Sequence, residues 1–392
     1  MFSNKSPLLA KVLFAIALGI LCSLFMPIWL VRVFGTINSI FSNYLGFTIP
    51  IIILGLVAPS ISDLGAKAGK LLIITTLIAY SSTIFSGYLS FFTAQATFPT
   101  LLDGASLLSL DDLSSGVVAS EYFTIDMPPI MSVTSSLVLA FVLGLTLSGF
   151  KKEESILNKS LLEIKEVVMM IINKSIIPML PIYIFGIFLK LGVEGQVISV
   201  LGLFLKVVIV IFVLHVGLLI LQYLIAGALT NRSPLKAILN MIPAYVTALG
   251  TQSSAATIPV TLECVKKNGV KDDIAEFTVP LCATIHLSGS MLKIVACALA
   301  IAWTTCMPTD TSIYTGFIFM LAITMVAAPG VPGGAIMAAI ALLTSQLGFD
   351  ETQCGLMIAL YIAMDSFGTA CNVAGDGAIA LIVNKFCDTE AK

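Results

Sequence analysis

The sequence predicts an all-α polytopic membrane protein with eight transmembrane helices and two opposed re-entrant helical hairpins. Three observations predict it. Charge is scarce, apolar runs are long and continuous, and two of those runs are broken in the middle by polar residues, glycine or proline. Of 392 residues, 58% are hydrophobic and 11% charged, against about 25% charged in a soluble domain. Mean hydropathy is +1.05. A chain so poor in charge cannot cover a water-facing surface and needs lipid as its solvent. Many runs exceed the roughly 18 apolar residues that mark a spanning helix. Their continuity separates them from the alternating segments of an outer-membrane barrel.

The N-terminus, MFSNKSPLLAKVLFAIALGILCSLF, begins like a signal peptide. Its apolar stretch runs from about Leu8 to Val33, too long for a signal's apolar region, and reads as the first span. Further apolar segments centre on 40–60, 71–95, 131–150, 166–192, 199–229, 238–263, 277–303, 313–345 and 353–384. The basic residues orient them. With the N-terminus inside and six spans threaded, Lys5, Lys11, Lys67, Lys70, Lys151, Lys152, Lys159, Lys165, Arg232 and Lys236 fall on the cytoplasmic side. Arg32 and Lys190 fall outside, and Lys174, Lys206 and Lys293 lie within apolar segments. The 96–130 loop holds Asp103, Asp111, Asp112, Glu121 and Asp126 and no Lys or Arg, as an external loop should.

Segment 238–263 is flanked by Arg232 and Lys236 on one side and by Lys266, Lys267 and Lys271 on the other, so both ends belong in the cytoplasm. Its centre reads GTQSSAATIP. A hairpin that enters and leaves on one side satisfies both facts, and non-helical backbone at membrane depth requires a protein-lined cavity. Segment 313–345 has no Lys or Arg at either flank and reads APGVPGGA at its centre, where proline breaks the helix. It reads as a second hairpin entering from outside. Hairpin, span, hairpin, span in opposed orientation is an inverted repeat with broken helices, the arrangement of a secondary transporter with its site at mid-membrane.

The last span reads YIAMDSFGTACNVAGDGAIALIVNK. Asp365, Thr369, Asn372 and Asp376 are spaced 4, 3 and 4 apart and share one helical face. A carboxylate at membrane depth costs about 2.5–3.5 kcal/mol on insertion scales and marks function. In the seventh span His286, Ser290 and Lys293 share a face, and Ser288 and Gly289 weaken the helix there. Lys293 sits mid-span with no other charge nearby in sequence, so it needs a partner or a cavity, with Asp365 or Asp376 as the obvious candidate. His215 reads as structural.

The segments GTQSSAATIPVT, PGVPGG and DSFGTACNVAGD resemble the dicarboxylate/amino acid:cation symporter family, the glutamate-transporter fold, over essentially the whole chain. The resemblance implies a homotrimer working by an elevator mechanism in the cell inner (plasma) membrane. Residues 1–70 (spans 1 and 2) and 131–229 (spans 4 to 6) would be mainly scaffold, with span 6 free to move with the transport domain. Residues 71–95 (span 3) and 234–386 would form that transport domain. Ser253 and Ser254 at the first tip would hold a substrate carboxylate, helped by Ser290 and Asn372. Residues Pro329, Gly330, Val331, Pro332, Gly333 and Gly334 would gate the site, with Val331 and Gly333 closing over the substrate. Asp365 would accept its ammonium beside Thr369, and Asp376 with the Asn372 backbone would bind sodium, the coupling ion. No other cofactor is implied.

Two departures stand out. Acidic-substrate members carry arginine three residues after the first aspartate of the last span, where this chain has Gly368. The family's N-M-D-G-T reads H-L-S-G-S at residues 286–290, so a sodium site needing that aspartate is absent. The favoured substrate is therefore a small neutral amino acid such as serine, alanine or threonine. The alternative is an acidic amino acid or C4-dicarboxylate gripped by Lys293. His286, Ser288 and Lys293 form the coupling set: Lys293 standing in for an ion, His286 taking a proton, and sodium stoichiometry reduced.

An intramembrane aspartyl protease needs facing aspartates on separate helices, whereas both lie here on one and the motif reads VAGD. An anion channel has no need of a gated broken-helix pocket. No nucleotide motif or metal-ligand cluster occurs, the net charge of −2 gives no sign of nucleic-acid binding, and the eight cysteines include no CxxC pair. A non-enzymatic carrier is the expectation.

Overall fold

The computed structural model describes residues 8–66, 70–102, 120–149, 155–195, 197–326, 328 and 333–388. Regular structure among them is entirely helical. Helix α1 (Leu8–Ser23) ends ahead of Pro27, and α2 (Ile28–Ala66) starts immediately after it. The first break therefore lies at 24–27, not between 33 and 40 as the apolar runs suggest. Proline sets the boundary because it has no amide to donate to the preceding turn. Helix α3 (Lys70–Leu101) continues past the expected end at 95. Residues 103–119 lie outside the described region. From Ser120 the chain runs along α2: Arg32 donates to the Ser120 carbonyl at 2.9 Å, Asn43 donates to that of Ile125 at 2.7 Å, and the Arg32 guanidinium sits 4.3 Å over the Tyr122 ring.

Helix α4 (Val133–Ser148) is capped at its start by Ser132, whose side chain accepts from the Ser135 amide. Helices α5 (Ile156–Ile171) and α6 (Ile177–Val193) form one span joined by a π-turn at Ile172–Ile176, which lies just ahead of Pro178 and Pro181. Helix α7 (Val197–Thr230) follows. Lys206 within it donates to the Leu101 carbonyl at 2.8 Å, so this apolar-segment lysine satisfies the end of α3.

The C-terminal half supplies the broken elements. Helices α8 (Pro234–Asn240) and α9 (Ile242–Thr251) lead to a sharp turn at Gln252, whose φ is 52°, and α10 (Ser254–Lys267) packs back along α9. Helices α11 (Asp272–Ile285) and α12 (Ser288–Thr304) are one span broken at His286–Leu287. Helices α13 (Thr311–Met325) and α14 (Gly334–Leu347), which flank the expected second tip, pack against each other. Helices α15 (Glu351–Ala363) and α16 (Asp365–Asp388) are a second broken span, interrupted at Met364, a break the sequence reading did not anticipate.

Helix α12 lies at the centre, packed by α3, α7, α15 and α16. Its apolar stretch is wholly buried, and that of α16 nearly so. Polar side chains on these two helices have no water to turn to, so each must find its partner inside the protein.

Candidate functional site

Gln252, at the turn between α9 and α10, and Gly333, at the start of α14, both reach the first turn of α16. The Gln252 side-chain amide donates to Ser366 Oγ at 2.8 Å, and the Gly333 amide donates to Asp365 Oδ2 at 2.8 Å. Gly333 has φ 74°, a left-handed conformation that glycine adopts without steric cost. Ser253 caps α10 by accepting from the Ala256 amide at 3.3 Å, and Ser254 is buried. The gate residues Pro329, Gly330, Val331 and Pro332 lie outside the described region, while Gly333 and Gly334 are within it.

Lys293 reaches Asp365 from α12. Its Nζ is 3.1 Å from Asp365 Oδ1, and neither side chain meets solvent to any extent. The same ammonium donates to the Tyr361 carbonyl at 3.3 Å and lies 3.3 Å from the centre of the Tyr361 ring. A Cβ at Gly368 would sit 3.0 Å from Lys293 Nζ, so the glycine leaves room for the ammonium. Tyr361 was not singled out in the sequence, where it is one aromatic residue in an apolar run.

Asn372 joins the two broken helices. Its Oδ1 accepts from the Gly289 and Ser290 amides at 2.7 and 3.3 Å, and its Nδ2 donates to Ser290 Oγ at 3.1 Å. It thereby caps the start of α12, whose first amides have no partner within the helix. Tyr361 Oη also donates to Ser290 Oγ, at 3.3 Å. Thr369 is buried one turn after Asp365.

His286 does not share the face of Ser290 and Lys293. At the break its φ of −102° and ψ of 88° leave the helical region, and the ring turns toward α16 and α3 instead. His286 Nδ1 lies 2.8 Å from Asp376 Oδ1 and its Nε2 lies 3.1 Å from Ser82 Oγ. Gln222 donates to Ser82 Oγ at 3.0 Å and to Ser288 Oγ at 3.3 Å. A carboxylate only accepts, so Nδ1 carries the proton toward Asp376. Ser82, already an acceptor from Gln222, has its own hydroxyl proton for Nε2. Ser82 and Gln222 also form the polar end of a cavity of about 420 Å³ between α3, α7 and α16, otherwise lined by side chains such as Leu77, Phe85, Ile379 and Phe386. Neither residue carried a signal in sequence, because each is one uncharged polar side chain in a mainly apolar helix.

Hard oxygen donors suit sodium, but an imidazole N–H directed at Asp376 Oδ1 opposes a cation at that oxygen. His215 donates to the Gly289 carbonyl at 3.0 Å and serves the α12 break.

A family model described as the sodium:dicarboxylate symporter family matches residues 8–386. Excitatory amino acid transporter 4 of Mus musculus is 29% identical over 259 residues, 64% of this chain and 45% of that protein. Excitatory amino acid transporter 5 of Mus musculus is 34% identical over 192 residues, 48% of this chain and 33% of that protein. Excitatory amino acid transporter 2 of Homo sapiens is 29% identical over 191 residues, again 48% and 33%. The matched stretch thus spans under half the length of each relative.

Proposed function

Because the chain belongs to the sodium:dicarboxylate symporter family, we propose that it is a secondary active symporter whose substrate is a small neutral amino acid. The observation that carries this reading is the buried Lys293–Asp365 pair beside the contacts that Gln252 and Gly333 make to the first turn of α16. Together the pair has no net charge. A zwitterion entering between them also adds none, because its ammonium takes Asp365 and its carboxylate takes Lys293. An acidic amino acid brings one further negative charge, and an unpaired charge in such a site is strongly unfavourable.

A second reading keeps an acidic substrate, as in the names of the relatives. It is favoured by Lys293 Nζ standing 3.0 Å from where a side chain at 368 would begin, next to the position of the family's arginine. Uptake into proteoliposomes separates the two. L-Serine and L-alanine should be accumulated and should compete with each other. Competition by aspartate that vanishes in Lys293→Met would sink the neutral-substrate reading.

A sodium gradient drives the cycle in this proposal, with fewer sodium sites than the family pattern provides, since His286 takes one oxygen of Asp376. The Ser82–His286–Asp376 chain supports a proton taking part. Full transport with neither a sodium nor a proton gradient would reject both. The remaining assignments follow the family: hairpins re-entrant from opposite faces, a transport body of residues 71–95 and 234–386, a scaffold of 1–70 and 131–229, a trimer in the plasma membrane and both termini cytoplasmic. The packing of α7 on α16 supports letting the sixth span move with the transport body.

A further inference from the structure

A carrier that works in one direction must return its site without substrate, and the chemistry at Asp365 bears on how. A substrate's ammonium has three N–H donors, and so has that of a lysine. Lys293 directs its own toward three acceptors: Asp365 Oδ1 at 3.1 Å, the Tyr361 carbonyl at 3.3 Å, and the face of the Tyr361 ring at 3.3 Å from its centre. The opposite oxygen of Asp365 accepts from the Gly333 amide. The chain's own groups therefore satisfy both Asp365 and Lys293, at a site where neither could be left unpaired at low cost. Tyr361 is built to hold this arrangement. Its hydroxyl is anchored on Ser290, and Ser290 is anchored on Asn372, so the ring face stays turned to the ammonium.

We propose that Lys293 is a tethered stand-in for the substrate's ammonium, held by Tyr361, so that the transport body returns without a diffusible cation at Asp365 and the protein carries out net uptake, not obligatory exchange. This inference rests on the symporter reading above and adds a transport mode to it. Lys293 acts at Asp365 in the empty site and at the substrate's carboxylate in the filled one, and Tyr361 is a positioning residue acting through Lys293.

The test compares two modes in proteoliposomes, using labelled L-serine, L-alanine and L-aspartate at saturating concentration with sodium outside. In the first, the lumen contains only choline salt and no substrate. In the second, the lumen also contains the unlabelled substrate. Wild-type protein is expected to take up label in both modes at rates within about twofold of each other. In Lys293→Met, exchange should persist with a raised KM, because the substrate's own ammonium then neutralises Asp365. Net uptake should fall about tenfold or more below exchange. Tyr361→Phe keeps the ring but loses the hydroxyl's hold on Ser290, and should lower the ratio of net uptake to exchange by less than the next variant does. Tyr361→Leu removes the ring and should lower that ratio severalfold. A merely structural role for either residue would depress both modes together. If Lys293→Met does not fold, the two Tyr361 variants decide the matter. An unchanged ratio in Lys293→Met and Tyr361→Leu would overturn the inference and leave the symporter reading standing, whereas exchange without net uptake in the wild type would overturn both. Failure of the wild type to move any probe in either mode would overturn the reading and the inference with it.

Discussion

Removing Lys293 should destabilise the protein because of the charge it leaves behind. The Nζ–Oδ1 distance is 3.1 Å and the pair is buried. At an effective dielectric of about 20, two unit charges at that distance attract by roughly 5 kcal/mol, much of it offset by the cost of taking both from water. Deleting one partner of such a pair leaves the other charged and unpaired, at a cost of about 3–5 kcal/mol. Lys293→Met and Asp365→Asn should therefore each lose stability in that range. The double variant contains no charge at the site and should lose less than the sum of the two, by about 2–3 kcal/mol. The assay is reversible unfolding of the four purified proteins in one detergent, closed as a double-mutant cycle. Additive losses would refute the pairing, and with it the charge argument for a zwitterionic substrate.

Gly368→Ala should press on the flexible end of Lys293, since the new Cβ would lie 3.0 Å from Nζ; stability should change by under about 1 kcal/mol while the substrate KM rises severalfold in uptake assays. Asn372→Ala should uncap the Gly289 and Ser290 amides at the start of α12 and cost about 1–3 kcal/mol in the same unfolding measurement. Glu351 is the first residue of α15, ahead of the apolar run 353–384, at a cleft it shares with Lys190, Glu194 and Glu121. Burial pushes its carboxyl from 4.5 up to about 7 against the pull of Lys190, and Glu121 and Asp350 push the same way. Its charged form is the disfavoured one in the folded protein. Stability should therefore fall as pH rises from about 4.5 through about 7 and then level off, and Glu351→Gln should flatten the Tm profile across that window.

The features legible in sequence were those that violate the demands of lipid. Basic residues on both sides of 238–263, and two prolines within APGVPGGA, do not suit ordinary spans, and in each segment two short helices pack against each other, α9 on α10 and α13 on α14. Asp365, Lys293 and Asp376 stand out because charge at membrane depth needs a reason, and all three are paired in the structure. The partners with no such signal were invisible. Tyr361, Ser82 and Gln222 look like any polar or aromatic residue of an apolar helix, and they acquire roles only when α15, α3 and α7 are packed around α12. The break at Met364 was hidden because no glycine or proline marks it. The face shared by His286, Ser290 and Lys293 was misread because helical spacing was carried across a break that frees the His286 ring to turn the other way. The end of the first span was misplaced because an apolar count does not see that Pro27 divides the run.

Helix α4 has a consequence for the lipid around it. Ser132 closes its start and Gly149 its end, so its 16 residues span about 24 Å, against roughly 30 Å of hydrocarbon in a typical bilayer. One side is locked to α2, where a Cβ on Gly144 would meet the Ala58 carbonyl at 2.9 Å, and the other exposes Val138, Val142 and Leu145. Acyl chains beside that exposed side must compress or splay to match it. The bilayer is thus thinned beside α4, and its thickness there is set by the reach of that one helix and not by the bulk lipid.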